Sequence, residues 1–335
     1  MDRGAAAARR KRAPKKSRRD QLLDEAARQL NARGVSLTSL TDVADQLGVS
    51  RAALYYYVDD REDLVFQVYR RSCEILARHL GESARSEHHA LDVVREFVAS
   101  TLDPDEPEIA ALSELGLLRP AERETIMALY EGVVARLAYV LEAGAGAGEI
   151  RPCDFTIAAR CIISMIYWTP LSVRWTMAAS PVTRAQVINQ INDVLAFGSA
   201  SDRTKIVDPP RIDLSPLIAP KVAAFARDAL SDAKREIITL TASRMFNAKG
   251  VDTTSLEEIA AELGATKRTL YHYVGDKQAL ISACYDRAYR IYFFLHDTAA
   301  AMDLSVSEST VAATRAYAEA QQRKDLSPLR PLVGF

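Results

Sequence analysis

SLTDVADQLGVSRAALYYYVDDREDL, residues 39–64, returns later in the chain as SLEEIAAELGATKRTLYHYVGDKQAL, residues 255–280. In the first copy Leu40, Val43, Ala44 and Leu47 fall on one face of a short amphipathic helix. Gly48 stands where that helix must end, since glycine enters the left-handed region without a steric penalty. Ser50 is placed to cap the next helix, its hydroxyl able to take up a free backbone N–H. The spacing predicts that helix over Arg51–Val58, with Leu54 and Val58 inward and Arg51, Ala52, Tyr55 and Tyr56 outward. A short helix that shows arginine and tyrosines to solvent after a glycine turn has the layout of a helix-turn-helix that reads the DNA major groove. An ordinary helical hairpin inside a bundle is the competing reading of one copy.

The repeat weighs against that competitor. Asn31, Gly34, Leu40, Ala44, Gly48, Leu54, Tyr55, Tyr57, Val58, Asp60 and Leu64 are each identical to the residue 216 positions later. An ungapped match of this length marks two whole supersecondary units. Taken together, residues 31–35, Thr38-Ser39-Leu40, Val43-Ala44, Leu47 to Ser50, Leu54 to Val58 and Arg61 to Leu64 resemble the DNA-binding domain of the tetracycline-repressor (TetR/AcrR-type) family of bacterial transcription regulators. The second copy resembles it through Thr254 to Leu256, Ile259-Ala260, Leu263-Gly264, Leu270 to Val274 and Asp276-Lys277. Both copies have Val58 or Val274 where the family usually has Phe, and Asp59 or Gly275 where Pro usually follows.

The resemblance implies a division of roles. Thr38, Ser39, Tyr57 and Arg61 fall at positions where the family contacts phosphate. Arg51, Ala52, Tyr55 and Tyr56 fall on the groove-facing surface. The same positions in the second copy are Thr254, Ser255, Tyr273 and Lys277, with Lys267, Arg268, Tyr271 and His272 facing the groove. The chemistry suits these roles, because hydroxyls and helix N-terminal N–H groups hold phosphate oxygens and arginine pairs bidentately with guanine. Arg51-Ala52 against Lys267-Arg268, and Tyr56 against His272, predict different preferred half-sites.

Composition bounds the rest. The chain has 335 residues, 48% of them hydrophobic, with 14 Gly and 13 Pro and few alternating patterns. The expected fold is therefore all-α. The expected organisation is a basic arm (1–18), a first three-helix reader (19–64) and a helical ligand-sensing and dimerisation domain (65–198). A Pro-rich linker (199–231), a second reader (232–280) and a shortened helical extension (281–335) follow. The net charge of −1 hides an uneven distribution. Residues 1–20 hold Arg9 to Arg12, Lys15, Lys16, Arg18 and Arg19 against Asp2 and Asp20, either an arm that lies along phosphates or a solubilising tail.

Helical patterns are expected over 61–80, 90–101, 108–117, 121–143, 154–178 and 183–197, then over 232–249, 281–302 and 307–323. Family resemblance implies that the helices from Arg61 through Ala143 enclose an effector pocket and that those near 154–197 pair with a second subunit. Candidate pocket residues are Cys73, Leu76, Phe97, Leu112, Leu115, Met127, Tyr130, Val134, Cys161, Met165 and Trp168, whose apolar balance suggests a hydrophobic effector.

The excluded classes are equally informative. Cys73, Cys153, Cys161 and Cys284 lie far apart without ligand spacing, which predicts reduced thiols and no metal. No cofactor, nucleophile motif, paired carboxylates or phosphate-cradling loop is apparent, so an enzyme is not expected. The most apolar run, Cys161 to Val173, is too short for a bilayer. A bacterial cytoplasmic, nucleoid-associated regulator is the leading expectation, most simply a repressor released from its operator by a small molecule. The alternative is an architectural or scaffolding protein in which one reader has lost DNA and serves dimerisation.

Overall fold

The computed structural model describes residues 17–35, 38–85, 89–112, 114–176, 183–198, 207–218, 227–251 and 253–330, without the side chains of 171–176 and 227–230. The basic arm lies outside the described residues except for Ser17 and Arg18. The described residues are all-helical, with no strand.

The first reader is α1 (Arg18–Arg33), α2 (Leu40–Leu47) and α3 (Arg51–Leu54). Ser17 caps α1 through Asp20, Ser39 caps α2 through the Asp42 N–H, and Ser50 caps α3 through the Ala53 N–H. Each hydroxyl satisfies a donor that the first helical turn leaves orphaned. Leu22, Leu23, Ala26, Ala27 and Leu30 of α1 are buried against Val43, Ala44, Leu54 and Val58. The next helix, α4 (Arg61–Ser83), closes this core with Leu64, Val65, Val68 and Tyr69. Its second half supplies Ile75, Leu76 and Leu80 to a different core, shared with α5 (Ala90–Thr101), α6 (Pro120–Gly146), α7 (Phe155–Thr176) and α8 (Arg184–Phe197). One continuous helix therefore belongs to both cores.

Two expectations change in this region. Residues 108–112 and Glu114 are not helical; among the described residues of this stretch a 3-10 turn at Leu115–Leu117 is all that forms. The reason is a side-chain clamp. Asn31 donates to the Ile109 carbonyl (2.8 Å) and accepts from the Ala111 N–H (3.0 Å), while Ser72 accepts from the Ala110 N–H (2.9 Å). Backbone groups committed to side chains are lost to a helical ladder. Conversely, α6 runs past the expected end at 143 as far as Gly146, and Gly144 lets it pack against Ala90, whose side chain any larger residue there would strike.

The second half repeats the plan with α9 (Arg227–Lys249), α10 (Leu256–Glu262), α11 (Lys267–Val274), α12 (Lys277–Ala301) and α13 (Val306–Gln322). Ile238, Phe246, Ile259, Leu270 and Leu280 form its reader core, whereas the neighbouring Ile237 is exposed. Asn247 repeats the clamp, donating to the Pro328 carbonyl (3.0 Å) and accepting from the Arg330 N–H (2.9 Å). The clamped segments are 219 residues apart, so the offset of 216 has grown by three through the α12–α13 region. The stretch 207–218, expected as an open tether, buries Ile212 and Leu214 on α12 and α13, and Arg315 ties Asp208 at 2.7 Å.

Candidate nucleic-acid interface

Each reader presents its outward face through the same local device. Gly48 (φ +64°) and Gly264 (φ +63°) turn the chain in the left-handed region, and Ser50 or Thr266 starts the next helix with a side-chain cap. Leu54 and Leu270 seat that helix in the core, leaving the opposite side in solvent.

On α3, Arg51 and Ala52 are exposed, Tyr55 and Tyr57 are partly so, and Tyr56 is 89% exposed. Almost the whole Tyr56 ring is therefore open to solvent beside Arg51 and Tyr55. The Arg51 guanidinium donates to the Tyr55 hydroxyl (3.0 Å) and lies 5.8 Å from its ring centroid. The cation is thereby held over an aromatic platform that points outward. The Tyr57 carbonyl accepts from Gln67 of α4 (2.9 Å), and Gln67 accepts from Arg19 of α1 (2.7 Å), which locks the end of the reading segment to two scaffold helices.

The second reader keeps the platform with other chemistry. Lys267 lies 5.5 Å over the Tyr271 ring, as Arg51 does over Tyr55. It also forms an ion pair with Glu257, which raises the lysine and lowers the carboxyl. The matching position of the first reader is Thr41, so Arg51 has no such anion beside it. Arg268 and His272 are exposed, while Tyr273 is half-buried under Lys234, which donates to its hydroxyl (3.3 Å). Glu257 was not anticipated as a site residue; the Thr-to-Glu change at that offset was the available signal.

The reading helices differ in length. The spacing predicts helix over Arg51–Val58, yet α3 ends at Leu54 and tightens into i→i+3 geometry, with the Tyr57 N–H bonded to the Leu54 carbonyl at 2.8 Å. In α11 the helix reaches Val274, because Gly275 (φ +74°) takes the C-terminal turn and returns its N–H to the Tyr271 carbonyl. Asp59, at the matching place, has a side chain that disfavours such a turn.

Two expected phosphate contacts are placed otherwise. Thr38 and Thr254 are fully buried, and their hydroxyls donate to the carbonyls of Gly34 (2.7 Å) and Gly250 (2.8 Å). They fix the entry to α2 and α10 and do not face outward. Ser39 and Ser255, half-exposed at the helix starts, remain at the surface, as does Arg61 in part. Lys277, at the start of α12, is half-buried.

The candidate pocket residues separate into three groups. Leu76, Phe97 and Val134 lie inside the sensor core, and Cys73 sits at its seam with the reader core. Burial pushes the Cys73 thiol up to about 11 and the phenols of Tyr130 and Tyr167 upward, so α4, α6 and α7 meet around neutral, weakly polar groups. Leu112, Leu115, Tyr130 and Met165 are half-buried at the edges of these cores. Met127, Cys161 and Trp168 point outward instead. Ile157, Cys161 and Trp168 recur at helical spacing along one exposed side of α7, and Val194 and Phe197 are exposed on α8.

Among the described residues no group of three or more His, Cys, Asp or Glu side chains is set to hold a metal ion, and no helix is long and apolar enough to cross a membrane. Comparison with known proteins adds the decisive match. The family model for bacterial regulatory proteins of the tetR family matches residues 22–68 and again 238–284, and the model for the tetracyclin repressor-like C-terminal domain matches residues 91–198. The chain belongs to the TetR family. Its two N-terminal-domain matches stand 216 residues apart at both ends, the offset of the repeat. It is similar to the HTH-type transcriptional regulator AcrR of Shigella flexneri, 25% identical over 178 residues that cover 48% of this chain and 79% of that protein. It is also similar to the HTH-type transcriptional repressor KstR2 of Rhodococcus jostii (strain RHA1), 28% identical over 204 residues, 56% of this chain and 93% of that protein. The crystal structure of the TetR family regulator PfmR from Thermus thermophilus aligns with 56% of this chain and 100% of its own, at 24% identity and a TM-score of 0.46.

Proposed function

We propose that this TetR-family chain is a transcriptional repressor that binds operator DNA through both readers and is released by a small hydrophobic effector. The observation that carries the reading is the pair of outward cation-on-tyrosine faces, Arg51–Tyr57 and Lys267–Tyr273, each on a capped helix seated in a core. Ser39 and Ser255 at helix starts supply phosphate-binding N–H and hydroxyl groups beside those faces. Homodimerisation is assigned to the apolar side of α7 and α8, where Ile157, Trp168, Val194 and Phe197 are exposed.

Release works through α4. Because Val65 and Val68 lie in the reader core and Leu76 and Leu80 in the sensor core, an effector lodged among α4, α6 and α7 tilts one rigid rod. In a dimer that tilt changes the separation of the readers, which must match the helical repeat of DNA. The second reader is within reach of the same movement. Its Lys249–Gly250 corner abuts Gly116 and Leu117 of the 3-10 turn, and Glu114 beside that turn accepts the Val35 N–H of the first reader (2.7 Å).

Mobility-shift titration of the full chain with Arg51→Ala, with Lys267→Ala/Arg268→Ala, and with all three tests the reading. Loss of affinity in both partial variants is expected. A second reading, with one reader retired from DNA to a scaffolding role, draws on the Glu257–Lys267 pair, which engages a groove-facing cation that DNA would need. It requires that Lys267→Ala/Arg268→Ala bind as the parent does. An effector that binds free and DNA-bound protein equally would rule out the release mechanism.

A further inference from the structure

The second unit leaves open a face that the first unit keeps inside. Cys73, Leu76 and Leu80 of α4 are wholly buried, covered from the side of α6 and α7. The residues 216 positions later on α12 are Tyr289, Tyr292 and His296, and all three are exposed. Tyr289 is 58%, Tyr292 49% and Phe293 57% in solvent. Tyr289 stacks on Phe293 with centroids 6.4 Å apart, and Tyr292 meets Phe293 at 5.6 Å and Tyr317 of α13 at 6.0 Å. Leu80 is replaced by the polar His296, but Cys73 and Ala77 are replaced by the rings of Tyr289 and Phe293 and Leu76 by that of Tyr292, so the open face carries a contiguous aromatic patch. Beside it, α12 and α13 enclose an open groove of about 580 Å³ between Leu295, Ala299, Leu304 and Ala313, with His296 in its wall.

We propose that this aromatic face is an interface between two copies of the chain, in which α12 packs antiparallel on α12 of a partner subunit. The chain's own α6 is not free to cover it, since Val133, Val134, Leu137 and Leu141 are already buried in the first sensor core. The face is complementary to itself about a two-fold axis at the level of Ile291. That axis sets Tyr289 against Phe293 of the partner subunit and Asp286 against His296 of the partner subunit, five residues either side of the centre. At about 200 Å² each, the three half-exposed rings contribute about 330 Å² per chain, and His296 and Val306 raise this to between about 500 and 600 Å². A total near 1,100 Å² is about the lower limit for a specific interface, so the pairing is a reversible one. It is separate from the α7–α8 contact of the proposed homodimer.

The test is sedimentation velocity of the full chain over a concentration series. Tyr289→Glu/Phe293→Glu is compared with Trp168→Glu/Phe197→Glu and with the variant carrying all four changes. The expected result is that each pair removes a different association step and that all four together leave a monomer. The register is checked by mixing Tyr289→Cys chains with Phe293→Cys chains, both in a Cys153→Ser/Cys161→Ser background. The mixture is expected to form an intermolecular disulfide in higher yield than either chain alone. Loss of association only in the Trp168→Glu/Phe197→Glu variant, with unchanged mass for Tyr289→Glu/Phe293→Glu at every concentration, overturns the α12 interface and leaves the homodimer reading standing. An altered melting temperature without a change of mass means that the chain's own residues cover the face, and that too overturns it.

Discussion

Replacing Asn31 by Ala removes the side chain that holds the sensor's extended segment onto the reader. The Asn31 amide is buried and bonds the Ile109 carbonyl (2.8 Å), the Ala111 N–H (3.0 Å) and Glu108 (3.2 Å). Ile109 is buried too, so water does not readily replace the lost partner. Two backbone hydrogen bonds at about 1 kcal/mol each, plus about 1 kcal/mol for the group left unsatisfied, predict a loss of about 3 kcal/mol. At about 2 kcal/mol per molar urea, the midpoint falls by about 1.5 M. Both tryptophans, Trp168 and Trp175, lie in the first sensor, so their fluorescence reports that unit's transition alone. Asn31→Asp keeps an acceptor but sets a second carboxylate beside Glu108, and is expected to cost at least as much. Asn247→Ala, at a half-buried site with two bonds, is expected to cost about 1–2 kcal/mol in far-UV circular dichroism and to leave the tryptophan transition in place. A tryptophan midpoint unmoved by Asn31→Ala would refute the clamp as the reason that residues 108–112 are not helical.

Other outcomes are fixed by single observations. Gly48→Ala meets open space and so costs only the left-handed conformation, about 1–2 kcal/mol by urea unfolding. Glu257→Gln frees Lys267 for DNA and is expected to tighten DNA binding several-fold at low salt, with no effect from Thr41→Ala in the first reader. Arg268→Ala, if the side chain meets phosphate, lowers the slope of log affinity against log salt by about one; if it pairs with guanine, it relaxes base preference instead. Burial holds His79 below its ordinary value of 6.5, against Glu106, which opposes the shift. The unfolded chain then takes up a proton that the folded chain resists, so stability falls as pH drops below about 6.5 towards the folded value. Melting temperatures from pH 8 to 5 should show this fall, and His79→Gln should flatten it.

Much of the molecule was written in local chemistry. The glycine turns at Gly48 and Gly264, the hydroxyl caps at Ser39, Ser50, Ser255 and Thr266, and the apolar spacing of α2 and α10 are interactions between residues a few positions apart. Sequence alone therefore determined the two readers, their outward residues and the all-helical class. The non-helical stretch at 108–112, the exposed side of α7 and the Glu257–Lys267 pair were decided by tertiary structure. Each depends on a partner far along the chain or on another helix, such as Asn31 against Ile109 or α6 over Cys73. The open aromatic face of α12 is the clearest case. Periodicity marks Tyr289 and Tyr292 as apolar, but only the packing of neighbouring helices determines whether such a face ends inside a core or in solvent.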